Sequence, residues 1–216
     1  MSYTPIRRVV TGHSPSGKAM IDSDTKLTPY DPLSADCSRA ASDKLAFTTI
    51  WRTESFPAKV DGPWTDFNGT QIPLADSVGT IIRAVDFPPG PGFMHRTVSI
   101  DFGIVLAGEI VLELDNGIKT TLEKGDVVVQ RSTVHAWSNL TSEPARMLFA
   151  MLPAKPIKVG SQTLEATAIP PPSGPSSPAR GGSASPTRLE VESTPIQPMS
   201  FQGDTQSSFG RETLSQ

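Results

Sequence analysis

The sequence predicts an all-β fold, an antiparallel sandwich or barrel, on three observations. Between Phe47 and Val159, short apolar runs recur about every ten residues. Glycine, asparagine and aspartate clusters break them apart, and no segment in this stretch carries a helical stripe. In order the runs are FTTIWRT, TIIRAVDF, TVSIDFGIVLAG, EIVLELDNG, KTTLEKGDVVVQ, HAWSN and ARMLFAML. Asn116-Gly117 supplies the positive φ that a tight hairpin needs, and Lys124-Gly125-Asp126 reads as another hairpin turn. Before Phe47 the pattern is weaker. RRVV and KAMI read as short strands, and SDTKLTPYDPLSADCSRAASD as an extended loop with one helical turn.

This gives three parts: an arm over residues 1–46 packing on the barrel, a barrel over 47–167, and a tail over 168–216. The tail is rich in Pro, Ser and Gly and has no apolar periodicity, so it cannot bury enough surface to offset the entropy of ordering it. We expect it to be disordered.

Composition narrows the function classes. Net charge is −3, which gives no electrostatic reason to bind nucleic acid or an anionic membrane. The single cysteine, Cys37, excludes an intrachain disulfide framework and a multi-cysteine zinc site. No apolar stretch approaches the roughly 20 residues of a membrane span or resembles a secretory signal, so a cytoplasmic setting is expected. Gly12 to Ala19, GHSPSGKA, comes within one residue of the phosphate-loop pattern. That pattern needs a terminal hydroxyl for Mg²⁺ and a helix to follow, and Ala19 and MIDSDTKLTP supply neither. A turn between two strands is the expectation, with no nucleotide.

The chemistry concentrates in MHRTVSID. Read as a strand, its period of two puts His95, Thr97, Ser99 and Asp101 on one face and Arg96, Val98 and Ile100 on the other. Four polar side chains on an inward face point to a site. A second histidine, His135, follows in HAWSN, with Trp137 on the same face. Met147, Phe149 and Met151 alternate in the last strand, either as an apolar wall for a ligand or as core. Arg83 either points into the barrel as a counter-charge for an anionic substrate or lies on the surface of an edge strand. Thr97 and Ser99 would bind a substrate carbonyl or hydroxyl.

These residues resemble the cupins, small jelly-roll β-barrels. Their first motif runs G, five residues, H-x-H, three or four residues, E, six residues, G. Here His95, Thr97, Asp101 and Gly108 keep the spacing, with Thr and Asp replacing the second His and the Glu. The second motif ends H-x-x-x-N, matched by His135 and Asn139. Pro89 stands where the opening glycine falls, and Arg131-Ser132-Thr133 replaces the usual proline and glycine. The resemblance spans about Phe47 to Val159.

It implies a jelly roll, a homodimer, and a ligand set of His95, Asp101 and His135 for one divalent metal, iron, zinc or manganese. The metal-free alternative is general acid/base chemistry by the same three residues, giving a decarboxylase, dehydratase or isomerase. Similar fungal proteins encoded among polyketide-pathway enzymes imply a cupin-type oxidoreductase of secondary metabolism acting on an apolar or aromatic, oxygenated small molecule. A non-catalytic ligand-binding barrel, or a scaffold recruiting partners through its tail, are the readings from other classes.

Overall fold

The computed structural model describes residues 2–167; the tail predicted over 168–216 lies outside the described residues. Among the described residues there are twelve strands and no helix. They are β1 (Ile6–His13), β2 (Ala19–Leu27), β3 (Ala46–Arg52), β4 (Ile81–Phe87), β5 (Ser99–Ala107) and β6 (Glu109–Leu114). Then come β7 (Lys119–Glu123), β8 (Val127–Arg131), β9 (His135–Ser138), β10 (Ala145–Pro153), β11 (Ile157–Val159) and β12 (Gln162–Leu164).

A five-stranded sheet in the order β3-β4-β10-β5-β8 and a three-stranded sheet β7-β6-β9 form the jelly roll. Their alternating inward side chains make one core: Val85 and Phe87 from β4, Val105 from β5, Ile110 and Leu112 from β6, Trp137 from β9, and Met147, Phe149 and Met151 from β10. Burying each of the larger ones contributes roughly 1.5–3 kcal/mol. The alternation is plainest in β10, where Ala145, Met147, Phe149 and Met151 are buried and the residues between them are half-buried.

Two sequence expectations about turns separate here. Gly117, at φ 80°, closes the β6–β7 hairpin as expected, with Leu114 N–H bonded to the Ile118 carbonyl. Gly125 also has positive φ, but its turn joins strands of different sheets, because β7 pairs with β6 and β8 pairs with β5. It is a corner rather than a hairpin.

The arm is more regular than its sequence suggests. β1 and β2 pair antiparallel along their length, and β2 includes the SDTKL that reads as loop. Ser14 to Lys18, SPSGK, supplies the β1–β2 turn, and Ala19 opens a strand where a phosphate loop requires a helix. The arm is fastened by polar contacts. The buried Arg8 holds Asp66 through both terminal nitrogens at 2.9 and 2.7 Å, and Tyr3 donates to the Ser42 or Lys44 carbonyl. Trp64 packs on Trp51, with ring centroids 5.2 Å apart, and lies under the Arg8 guanidinium.

Candidate active site

A cavity of about 170 Å³ opens inside the jelly roll. Its walls are largely apolar, with Phe47 from β3, Val85 and Phe87 from β4, Phe149 and Met151 from β10, and Trp137 from β9. Its polar lining is concentrated in Arg83, His95, Asp101, His135 and Asn139.

The expected strand MHRTVSID does not run as one ladder. Regular pairing starts at Ser99, and His95 makes an isolated bridge to His135, each N–H donating to the other's carbonyl at 2.9 and 3.0 Å. Ser99 N–H donates instead to the Ser132 hydroxyl. The alternation survives the break, since His95, Thr97, Ser99 and Asp101 are all buried while Arg96, Val98 and Ile100 are not. The bridge sets the two imidazoles against each other, with centroids 4.4 Å apart.

The loop Pro88–Gly92 lies along β9 and forms one lip of the cavity. Gly90 exchanges both backbone hydrogen bonds with Asn139. At Gly92 a Cβ would stand 2.2 Å from the Trp137 carbonyl oxygen, so only glycine allows this approach. Asn139 closes the lip by donating from Nδ2 to the Phe87 and Glu143 carbonyls.

Hydrogen bonds assign different tautomers to the two rings. His95 Nδ1 lies 3.1 Å from the Phe93 carbonyl, which can only accept, so Nδ1 carries the proton and Nε2 presents a lone pair. His135 Nδ1 lies 2.9 Å from Gln130 Nε2 and 3.0 Å from the Thr133 carbonyl, and cannot accept from one while donating to the other. Gln130 Oε1 accepts from Thr133 N–H and from the Thr133 hydroxyl, which fixes its amide nitrogen toward the ring. Turning the amide would leave the Thr133 N–H facing a donor. We assign His135 Nδ1 as the acceptor and Nε2 as the protonated nitrogen because this keeps both Gln130–Thr133 bonds; the opposite tautomer would donate from Nδ1 to the Thr133 carbonyl and forfeit them. Neither Nε2 has a protein hydrogen-bond partner among the described residues, and both rings line the cavity. Burial lowers the pKa of His95; burial and the neighbouring His95 lower that of His135 to about 4. Both rings are neutral at neutral pH.

The other expected site residues divide. Arg83 is no surface residue: β4 lies between β3 and β10, and Arg83 is 1% exposed and lines the cavity. Trp137 packs edge-on to His135, with centroids 5.3 Å apart, and Phe149 packs on Trp137. Met147 is wholly buried and belongs to the core rather than to the cavity wall. Thr97 and Ser99, expected to contact a substrate, do not line the cavity. Ser99 donates to the Thr97 hydroxyl at 2.8 Å, and Thr97 donates to Asp101 Oδ2 at 3.4 Å, so they support the carboxylate from behind. Burial raises Asp101 to about 6, with Ser99, Thr97 and Arg83 working in the opposite direction.

Asp101 does not join the imidazoles as a third ligand. Among the described residues no three His, Cys, Asp or Glu side chains form a group able to hold a metal ion. The side chains present do not fit the His95, Asp101, His135 metal centre expected from the motif spacing.

Gln130 escapes the sequence reading, although the signal exists: it is a polar residue, 3% exposed, in a strand otherwise of valines and arginine. The Phe47, Val85, Phe87 and Phe93 lining has no such signal, because core residues look the same.

Comparison with known proteins agrees with this architecture. The Cupin_2 cupin-domain model matches residues 84–151, from β4 to β10 and across both histidines. Oryzines biosynthesis cluster protein J of Aspergillus oryzae is 33% identical over 169 residues, 75% of this chain and 90% of the relative. The cupin-domain-containing oxidoreductase virC of Hypocrea virens is 33% identical over 163 residues, covering 70% and 78%. The corresponding oxidoreductase fogC of Aspergillus ruber is 32% identical over 165 residues, covering 73% and 77%. With the two-sheet jelly roll, the paired motif histidines and relatives matched over most of their length, this chain belongs to the cupin-domain family.

Proposed function

We propose that this protein is a tailoring enzyme of secondary metabolism, related in kind to the cupin-domain oxidoreductases. It takes an apolar or aromatic, oxygenated small molecule into the barrel. The observation that carries the reading is the pair of neutral imidazoles of opposite tautomer facing one apolar cavity. His95 Nε2 is placed to remove a proton from a carbon beside a carbonyl, or from a hydroxyl. His135 Nε2–H is placed to hydrogen-bond the carbonyl oxygen as negative charge grows on it. The apolar walls keep water from levelling both interactions. If the net reaction is an oxidation, as the relatives' names suggest, proton removal is the share that these side chains perform.

A second reading, redox-neutral isomerisation or dehydration, is favoured by the donor set, which serves proton transfer without a third ligand.

Deuterium exchange into the methylene of phenylacetone, followed by NMR in D₂O, tests the shared step. The wild type is expected to accelerate exchange roughly a hundredfold or more over buffer, the scale of general acid–base catalysis. His95→Gln is expected to remove the acceleration. Exchange that proceeds equally in wild type and variant overturns the proposal.

A further inference from the structure

The cavity contains a cation that no carboxylate among the described residues pairs directly; Asp101 acts on it only from beyond ion-pair distance. Two arginines are buried among the described residues, Arg8 and Arg83. Arg8 is matched bidentately by Asp66. Arg83 has no Asp or Glu oxygen within ion-pair distance among the described residues. Its terminal nitrogens donate only long bonds, 3.3 Å to the Leu74 carbonyl and 3.2 Å to the Pro73 carbonyl, and its Nε has no partner. The guanidinium lies 4.6 Å over the Phe47 ring, which holds its plane against the cavity wall. Burial lowers its pKa to about 10, so it remains charged at neutral pH.

A buried charge without a directly paired carboxylate is costly, and an aliphatic side chain would fill this inward position of β4 without that cost. Asp101 lines the same cavity but stands outside ion-pair distance, and its own Oδ1 is unpartnered. The remaining lining joins an apolar body-sized space to this one cationic end.

We infer that Arg83 is the receptor for an anionic oxygen of the ligand, a carboxylate, phenolate or enolate carried on an apolar or aromatic body. This rests on the reading that the barrel takes a small molecule, and it names that molecule's chemical class. The anion sits at Arg83, the body lies among Phe47, Val85, Trp137 and Phe149, and the reacting atoms lie toward His95 and His135.

Calorimetric titration of the full chain with cinnamate, neutral cinnamamide and, at pH 8, 4-nitrophenolate tests the inference. The wild type is expected to bind at least one anion about tenfold or more tighter than cinnamamide, the scale of a charge-assisted hydrogen bond. A preference for cinnamate indicates a carboxylate ligand, and one for 4-nitrophenolate a phenolate or enolate. Arg83→Met is expected to lose the preference while melting like the wild type, and Arg83→Lys to keep part of it. Equal binding of anions and amide, no anion binding at millimolar concentration, or a preference that survives Arg83→Met overturns the inference. His95→Gln is expected to keep the preference. A wild type that prefers anions but does not accelerate deuterium exchange thus overturns the proton-transfer reading alone, and one that accelerates exchange without an anion preference overturns only the role of Arg83.

Discussion

The two faces of β4 treat charge in opposite ways. On the outer face, under the arm, Asp86 is 2% exposed and accepts two bonds from Arg146, at 2.6 and 2.9 Å, while Arg146 also donates to the Thr4 carbonyl. On the inner face, three residues earlier in the same strand, Arg83 is as deeply buried and has no carboxylate within ion-pair distance among the described residues. Where the charge fastens the arm to the sheet, the chain supplies the partner. Where it faces the cavity, the partner is left to the ligand. Burial alone does not separate a structural charge from a functional one; pairing does.

Substitution breaks this comparison most strongly in stability. Arg146→Met leaves the Asp86 carboxylate buried without its partner and is expected to cost about 3 kcal/mol, at the lower end of the usual range because Asp86 can take up a proton. Arg83→Met removes an unpaired charge and is expected to change stability by less than about 1 kcal/mol, or to raise it. Denaturant titrations of the two variants check both values. Comparable losses would show that Arg83 is as structural as Arg146.

A second contrast lies in the pH dependence of the cavity groups. Asp101, raised to about 6 in the folded state, binds its proton more tightly there than in the unfolded chain. Its contribution is therefore present in acid and is lost as pH rises through about 6. His135, lowered to about 4, binds its proton more tightly when unfolded, so its contribution is present at neutral pH and is lost as pH falls from about 6.5 toward 4. Each is worth about 3 kcal/mol, and between pH 4 and 6 they oppose each other. Asp101→Asn removes the first contribution alone. The variant is expected to lose stability more steeply than the wild type as pH falls through this window, and parallel stability–pH curves would contradict the assignment.

Much of this was legible in the sequence, for a physical reason. Strand alternation is a local property, so the barrel strands and the burial of His95, Thr97, Ser99 and Asp101 could be read from spacing. Asn116-Gly117 was legible because a hairpin turn is local too. What spacing does not carry is distance across the barrel. It places Asp101 on the histidine face without showing that the break in pairing at residues 96–98 brings His95 to His135 and leaves Asp101 apart. The position of Arg83 also depended on a non-local fact, that β10 pairs with β4 and makes it an interior strand. In the arm, the polar run of β2 hid a strand that is largely solvent-exposed and therefore shows no alternation. The tautomer of His135 depended on Gln130 and Thr133 meeting its ring across a turn, which no motif encodes.

That tautomer pair is the centre of the account, and the ¹⁵N shifts of the histidine ring nitrogens report it directly. At neutral pH, long-range ¹H–¹⁵N correlation spectra are expected to show His95 protonated at Nδ1 and His135 protonated at Nε2, both rings neutral. The same tautomer in both rings, or a charged imidazolium in either, would contradict the assignment of His95 as base and His135 as hydrogen-bond donor.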